Sequence, residues 1–173
     1  MEDNELIIRK FEEKDIQNKI KWINNQNNNK FLHYDLPLEY DKTLRWFHNI
    51  KDRADRYDAV IEYASVPVGI IGLLGIDEKN KKAEYYITLG EEEYKGKGIA
   101  YKASLLLLKY AFEELNLNKV YLYTETENIP AQGLFSKLGF EKEGTLREDI
   151  IINNQKRDRY IYAMFRNNWN KRI

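Results

Sequence analysis

Residues 94–112 read YKGKGIAYKASLLLLKYAF, two glycines set between lysines and running straight into an apolar segment. Apolar side chains from Ile99 to Leu115 cover most of a helix's circumference, which places that helix between a sheet and another layer. Gly96 and Gly98 let backbone amides crowd at its N-terminus, where unpaired N–H groups and the positive end of the dipole attract a phosphate. The spacing is neither the Gly-x-x-x-x-Gly-Lys of a P-loop nor the Gly-x-Gly-x-x-Gly of a dinucleotide fold. Taken alone, the hexapeptide leaves a pyrophosphate nest and a plain glycine-rich turn with solvated lysines equally open. Its surroundings decide.

Outward from this helix, periodicity gives alternating element types. LIIR at 6–9 reads as a strand, EKDIQNKIKWIN as a helix, NNQNNNKFLHYDLPL as a long loop and EYDKTLRWFHNI as a second helix. YDAVIEY, VPVGIIGLLGI and AEYYITLG, joined by tight turns, suggest an antiparallel meander. After the 99–115 helix come the strand VYLYTET, a short helix NIPAQGLFSKLG capped by Gly139, and strands FEKEGTLREDIII and RDRYIYAMF around the turn NNQ. No linker or repeat interrupts the order, so one α/β domain over residues 1–173 is expected.

Lys and Arg balance Asp and Glu at 28 each, so no global field favours nucleic acid or an anionic membrane, and a charged ligand must be met locally. There is no cysteine, hence no disulfide, thiolate metal site or cysteine nucleophile. MEDNELIIRK lacks the apolar stretch of a signal peptide and no run reaches the length of a membrane span, so a soluble cytoplasmic protein is expected. His33 and His48 lack a supporting acidic cluster, and no metal is expected.

Two blocks then carry a resemblance. Lys95-Gly96-Lys97-Gly98-Ile99-Ala100 is similar to the acetyl-CoA loop Gln/Arg-x-x-Gly-x-Gly/Ala of the Gcn5-related N-acetyltransferases (GNAT), with lysine for the usual Gln/Arg. Asn128, Ala131, Leu134, Lys137, Gly139 and Phe140 match the family's second block without a gap. Flanking segments resemble the subgroup of ribosomal-protein N-terminal and spermidine acetyltransferases, over roughly residues 5–166. The resemblance implies a mixed, mostly antiparallel sheet of about seven strands, flanked by about four helices and splayed between strands four and five. It implies acetyl-CoA as cosubstrate, its pantetheine arm along Ile87, Thr88 and Leu89, and its pyrophosphate on the amides from Gly96 to Ala100. Lys95, Lys97 or Lys102 would lie near the outer phosphates, Lys137 is a further cofactor contact, and Asn128 would hydrogen-bond the arm near the thioester. For Asn128 a plain helix N-cap is the other reading.

The implied chemistry makes two demands. An alkyl amine of pKa about 10 is almost wholly protonated at pH 7, so a base must take its proton. Glu84 is the candidate, acting through a water, against the alternative of an ion pair with Lys81 or Lys82. The leaving thiolate is usually protonated by a family tyrosine, and here that position is Phe135. Three outcomes stay open: departure of the thiolate itself, a substitute donor such as Tyr123 or Tyr86, or an acyl-CoA-binding sensor without turnover.

Acceptor choice is expected from the first two helices and their loop, with Phe31, His33, Tyr34, Asp35 and Tyr86 as substrate contacts. Asparagines and aromatic faces suit an amino sugar or aminoglycoside, whereas a polyamine calls for more acid than this loop offers. The expectation is a primary amine of a small molecule of amino sugar, aminoglycoside or polyamine type, with a protein N-terminus as the rival acceptor. Exposed strands leave room for a homodimer.

Overall fold

Short left-handed turns set the sheet. Strand β2 (Arg56–Tyr63) reverses into β3 (Val66–Asp77) through Ala64 and Ser65, both at positive φ (48° and 65°), the geometry whose twist matches a hairpin. Asn153 and Asn154 (φ 49° and 59°) do the same between β6 (Glu141–Ile152) and β7 (Gln155–Phe165), where asparagine tolerates the conformation at little cost. With β1 (Leu6–Lys10), β4 (Lys82–Leu89) and β5 (Lys119–Glu125), a seven-stranded sheet forms in the order β1-β2-β3-β4-β5-β7-β6. Every neighbouring pair is antiparallel except β4 and β5. The structure, a computed structural model, describes residues 6–171.

Strand alternation gives the sheet two faces. One carries Ala59, Ile61, Ile71, Leu73, Tyr85, Leu122 and Met164 against α4 (Ile99–Lys109) and α5 (Ile129–Leu138), which bury Ala103, Leu107, Leu108, Phe135 and Leu138. The other carries Val60, Ile70 and Tyr86 against α1 (Ile16–Asn24) and α3 (Tyr40–Ile50), which contribute Ile16, Trp22, Ile23 and Phe47. By register, Arg56 and Asp58 of β2, Glu84, Tyr86 and Thr88 of β4, Tyr121, Tyr123 and Glu125 of β5 and Arg159 of β7 all share this second face.

The expected strands and the four longer helices form where periodicity placed them. Six helices are found among the described residues rather than about four. The extra two are α2 (Gln26–Asn29), inside the expected loop, and α6 (Arg166–Asn170). Asn25 starts α2 by accepting the Asn27 N–H at 3.0 Å. Residues 166–170 carry too few apolar positions to show a period, and α6 is anchored by Trp169 stacked on Phe112 at 5.8 Å. The helix expected to run to Leu115 is α-helical only to Lys109 and widens into a π turn over Tyr110–Glu114.

Gly72 matters for the second face. A Cβ there would lie 2.2 Å from the Tyr57 carbonyl oxygen and 2.6 Å from Tyr86 Cε1, because the Tyr86 ring crosses β3 at this point. Tyr86 thereby reaches β2 and donates its hydroxyl proton to Asp58 at 2.7 Å. Replacing Gly72 with alanine is expected to destabilise the protein by about 1–3 kcal/mol in urea denaturation, since the clash is partly with backbone and cannot be relieved by a rotamer change. An unchanged midpoint would show that the crossing is not sterically required.

Candidate active site

Strands β4 and β5 are paired only at Lys82–Lys119, Ala83–Val120 and Glu84–Tyr121. Beyond these residues they part, and the facing edges of both strands have no strand partner among the described residues. A cleft of about 1060 Å³ opens between them and reaches both faces of the sheet. Ile87, Thr88 and Leu89 line it from β4, Tyr123, Thr124 and Glu125 from β5, and Asn128, Phe135 and Lys137 from α5 and its approach. Thr124 Oγ1 is buried in this gap and, among the described residues, has no hydrogen-bond partner, so the hydroxyl is available as donor and acceptor.

The glycine loop closes one end. Gly96 and Gly98 adopt positive φ (73° and 77°), and Gly98 is the N-cap of α4, with no side chain to cap it. The first helical backbone bond runs from the Lys102 N–H to the Gly98 carbonyl at 3.0 Å, so the N–H groups of Ile99, Ala100 and Tyr101 carry no helical partner. Three donors at the positive end of an eleven-residue helix form an anion seat. Lys95 is held beside it by Glu92 and by Asn28 of α2, each at 2.7 Å. Lys97 turns over the Tyr94 ring at 5.4 Å and is not part of the cleft wall. Lys137 lies over Tyr101 at 4.9 Å and does line it.

Asn128 Oδ1 accepts the Ala131 N–H at 3.3 Å, so the capping reading holds while the residue also lines the cleft. Phe135 is 6% exposed and sits among Tyr85, Phe140 and Tyr162 at centroid distances of 6.0–6.1 Å. No hydroxyl exists at this position to protonate a leaving group.

On the second face, Glu84 forms no hydrogen bond or ion pair among the described residues, and pairing with Lys81 or Lys82 does not occur. Burial raises its pKa above the ordinary carboxylate range, and the positive charge of Arg159 only partly opposes this. Tyr123 stands under the Arg159 guanidinium, 4.6 Å from ring to carbon, and its hydroxyl has no hydrogen-bond partner among the described residues. Tyr86 is different, because burial and the Asp58 charge push its pKa well up and its proton is committed to that carboxylate. This argues against Tyr86 as a proton donor.

Of the expected acceptor contacts, Phe31, His33, Tyr34 and Tyr86 line the cleft, and Asp35 does not. Two carboxylates escaped sequence reasoning. Glu125, buried at the end of β5, meets His33 Nε2 at 2.8 Å, and Asp58 accepts from Arg56 Nε and Nη2 at 2.6 and 2.8 Å. The only sequence signal for either was its place on an alternating strand. The asparagines expected to read hydroxyls are largely occupied. Asn24 exchanges two bonds with the Leu38 backbone, Asn25 caps α2, and Asn28 donates to the carbonyls of Trp22 and Gly90.

A family model for the acetyltransferase (GNAT) domain matches residues 5–141. Spermidine N(1)-acetyltransferase of Escherichia coli (strain K12) is 35% identical over 130 residues, which cover 75% of this chain and 66%, just under two thirds, of that protein. The Vibrio cholerae spermidine N(1)-acetyltransferase is 32% identical over 161 residues, covering 90% of each. A crystal structure of spermidine N-acetyltransferase from Vibrio cholerae in complex with CoA and spermine superposes with a TM-score of 0.89 at 27% identity, covering 96% of this chain and 99% of that one.

The raised pKa of Glu84 has a stability consequence whose sign is fixed. A carboxyl that keeps its proton to higher pH when folded binds more protons in the native than in the unfolded state, so stability falls as pH rises from the unfolded value through the folded one. Glu84→Gln removes the penalty. Its melting temperature is expected to exceed that of the parent at pH 7 by a few degrees, with the difference closing below about pH 4, near the ordinary glutamate pKa. A variant less stable than the parent at pH 7 would mean that the carboxylate is favourably paired after all.

Proposed function

The chain belongs to the GNAT acetyltransferase family, and on that premise we propose that it transfers the acetyl group of acetyl-CoA to a primary amine of an aliphatic polyamine. The observation that carries this reading is the acid on the open face of the sheet. Among the described residues Glu84 makes no hydrogen bond or ion pair, and the buried Glu125 lines the same cleft four positions along β5 from Tyr121, the residue that faces Glu84. The loop alone offered too little acid for a polyamine, and the strands supply it. The likeness to spermidine acetyltransferases supports the same substrate class. An amino sugar is disfavoured because the asparagines that would read its hydroxyls hold the loop instead.

The residues present fit acetyl-CoA. The seat of three amides without a helical partner at Ile99, Ala100 and Tyr101 suits a pyrophosphate, with Gly96 and Gly98 supplying the positive φ of the turn and Lys95, Lys97 and Lys137 supplying charge nearby. The free β4 edge at Ile87, Thr88 and Leu89 and the unpaired Thr124 hydroxyl suit an amide-bearing arm, on which Asn128 also borders. Acetyl-CoA, when bound, supplies an acetyl group activated as a thioester.

The chain's own part is then proton handling and orientation. Glu84 takes a proton from the incoming ammonium through a water, and its raised pKa brings its basicity nearer to neutral pH, where a general base is most effective. Tyr123, with its free hydroxyl under Arg159, is the side chain assigned to proton delivery, since Phe135 has nothing to donate and the Tyr86 proton is held by Asp58. A thiol pKa near 8.5, with cysteine as the reference, makes this second transfer the less demanding one.

The test is thiol release from acetyl-CoA across spermidine, spermine, aminoglycosides, nucleotide amino sugars and short peptides. Release is expected with the polyamines, and Glu84→Gln should lower kcat/KM by about 10²–10⁴-fold while leaving acetyl-CoA affinity unchanged. Faster release with sugars or peptides would overturn the substrate assignment. In a separate measurement by calorimetry, Gly98→Ala should weaken acetyl-CoA binding about tenfold, because alanine resists the left-handed conformation that aims the amides. Unaltered affinity would remove the loop from the binding site.

A further inference from the structure

The far side of the acceptor face holds an unusual lysine. Lys19 of α1 is 5% exposed, yet among the described residues its ammonium has no hydrogen-bond or salt-bridge partner. It lies over the Trp46 ring of α3 at 3.9 Å and the Tyr34 ring of the acceptor loop at 5.2 Å, and it lines the same cleft as Glu84 and Tyr123. Asp58 and Arg56 of β2 and Tyr86 of β4 complete the surroundings. Arg56 sits over Trp46 at 5.6 Å, and the Asp58 carboxylate accepts from both Arg56 and Tyr86.

Two aromatic faces with a carboxylate behind them are how proteins recognise an ammonium group. Here the protein fills that seat with an ammonium of its own. Burial is costly for it and lowers the Lys19 pKa to about 8, with the Asp58 charge opposing the shift and Arg56 adding to it. Such a group is kept at a stability cost, and its place on the cleft wall gives that cost a use.

We propose that Lys19 is a specificity-determining residue of the acceptor cleft: its ammonium fills the aromatic seat that the distal ammonium of a long polyamine would otherwise take, so short acceptors are favoured over long ones. This rests on the polyamine reading above. With Lys19 and Arg56 at one end and Glu84 and Glu125 at the other, the cleft repels a second cation from the β2 side and accepts it on the β5 side. The usable length is therefore set by the β5 side alone.

Direct binding of putrescine and spermine, measured by calorimetry on the parent and on Lys19→Ala, tests this without requiring turnover. Emptying the seat should strengthen spermine binding about tenfold relative to putrescine. Lys19→Gln, which keeps the bulk and removes the charge, should shift the ratio in the same direction by less, and it serves if the alanine variant does not fold. Ethylammonium should also raise the melting temperature of Lys19→Ala and not that of the parent. A spermine-to-putrescine ratio unchanged in both variants, or changes that move the two amines in parallel, would overturn the proposal. So would failure of either amine to bind any of the proteins. If the ratio shifts as expected but no thiol is released from acetyl-CoA, the seat and its role in amine selection stand and the acetyl-transfer reading falls.

Discussion

Everything in the site depends on two parallel strands ceasing to pair. After Glu84 and Tyr121, β4 and β5 diverge, and each leaves a run of backbone donors and acceptors facing open space instead of a neighbour. Unpaired buried polar groups cost roughly 1–3 kcal/mol apiece, so a sheet does not open in its middle without a compensating partner. The orphaned Thr124 hydroxyl in the gap shows the same deficit in a side chain. A ligand with alternating amide donors and acceptors repairs both, and the free amides at the start of α4 place an anion seat at the end of that path. The aromatic packing of Tyr85, Phe135 and Phe140 ties β4 to α5 on one face, with Tyr85 also bonded to Ser104 of α4 at 2.6 Å. The opening is thus bounded by packed helices.

The same divergence organises the second face. Because α1 and α3 cover the β2 to β4 side, the polar row that runs from Asp58 through Glu84 to Glu125 forms a floor whose two ends differ in charge. At one end Lys19 and Arg56 stand with Asp58, and at the other the Glu125 carboxylate meets His33 of the loop. Gly72 allows the tyrosine that joins β4 to β2, and in doing so it removes one potential proton donor from the chemistry. Phe135 carries no hydroxyl and the Tyr86 hydroxyl is committed to Asp58, whereas the Tyr123 hydroxyl has no hydrogen-bond partner among the described residues.

What could be read from the sequence was local. The Gly96 and Gly98 pair before an apolar helix, the Gly139 cap, the hairpin turns and the alternation of β2 to β5 all show themselves within a dozen residues, and the structure has them in place. The parting of β4 and β5 was legible only through the resemblance, because no residue type marks where a parallel pair stops. Glu125 and Asp58 went unnoticed as site residues, since their meaning lies in partners far along the chain, His33 in one case and Arg56 with Tyr86 in the other. Lys19 could not be found at all from the sequence. Its burial comes from Trp46 and Tyr34, which belong to other elements. The asparagine-rich loop misled in the opposite direction, offering apparent recognition groups that serve the backbone.

The claim that the gap between β4 and β5 is the seat of acetyl-CoA is tested most directly by amide hydrogen exchange across residues 85–89 and 121–125, with and without acetyl-CoA. The account predicts fast exchange on the free edge of the unliganded protein and marked protection on binding, extending to the amides of Ile99, Ala100 and Tyr101. Protection at the helix start without any change along the two strands would contradict it, since the ligand would then be held by its phosphates alone and the parted strands would have no partner.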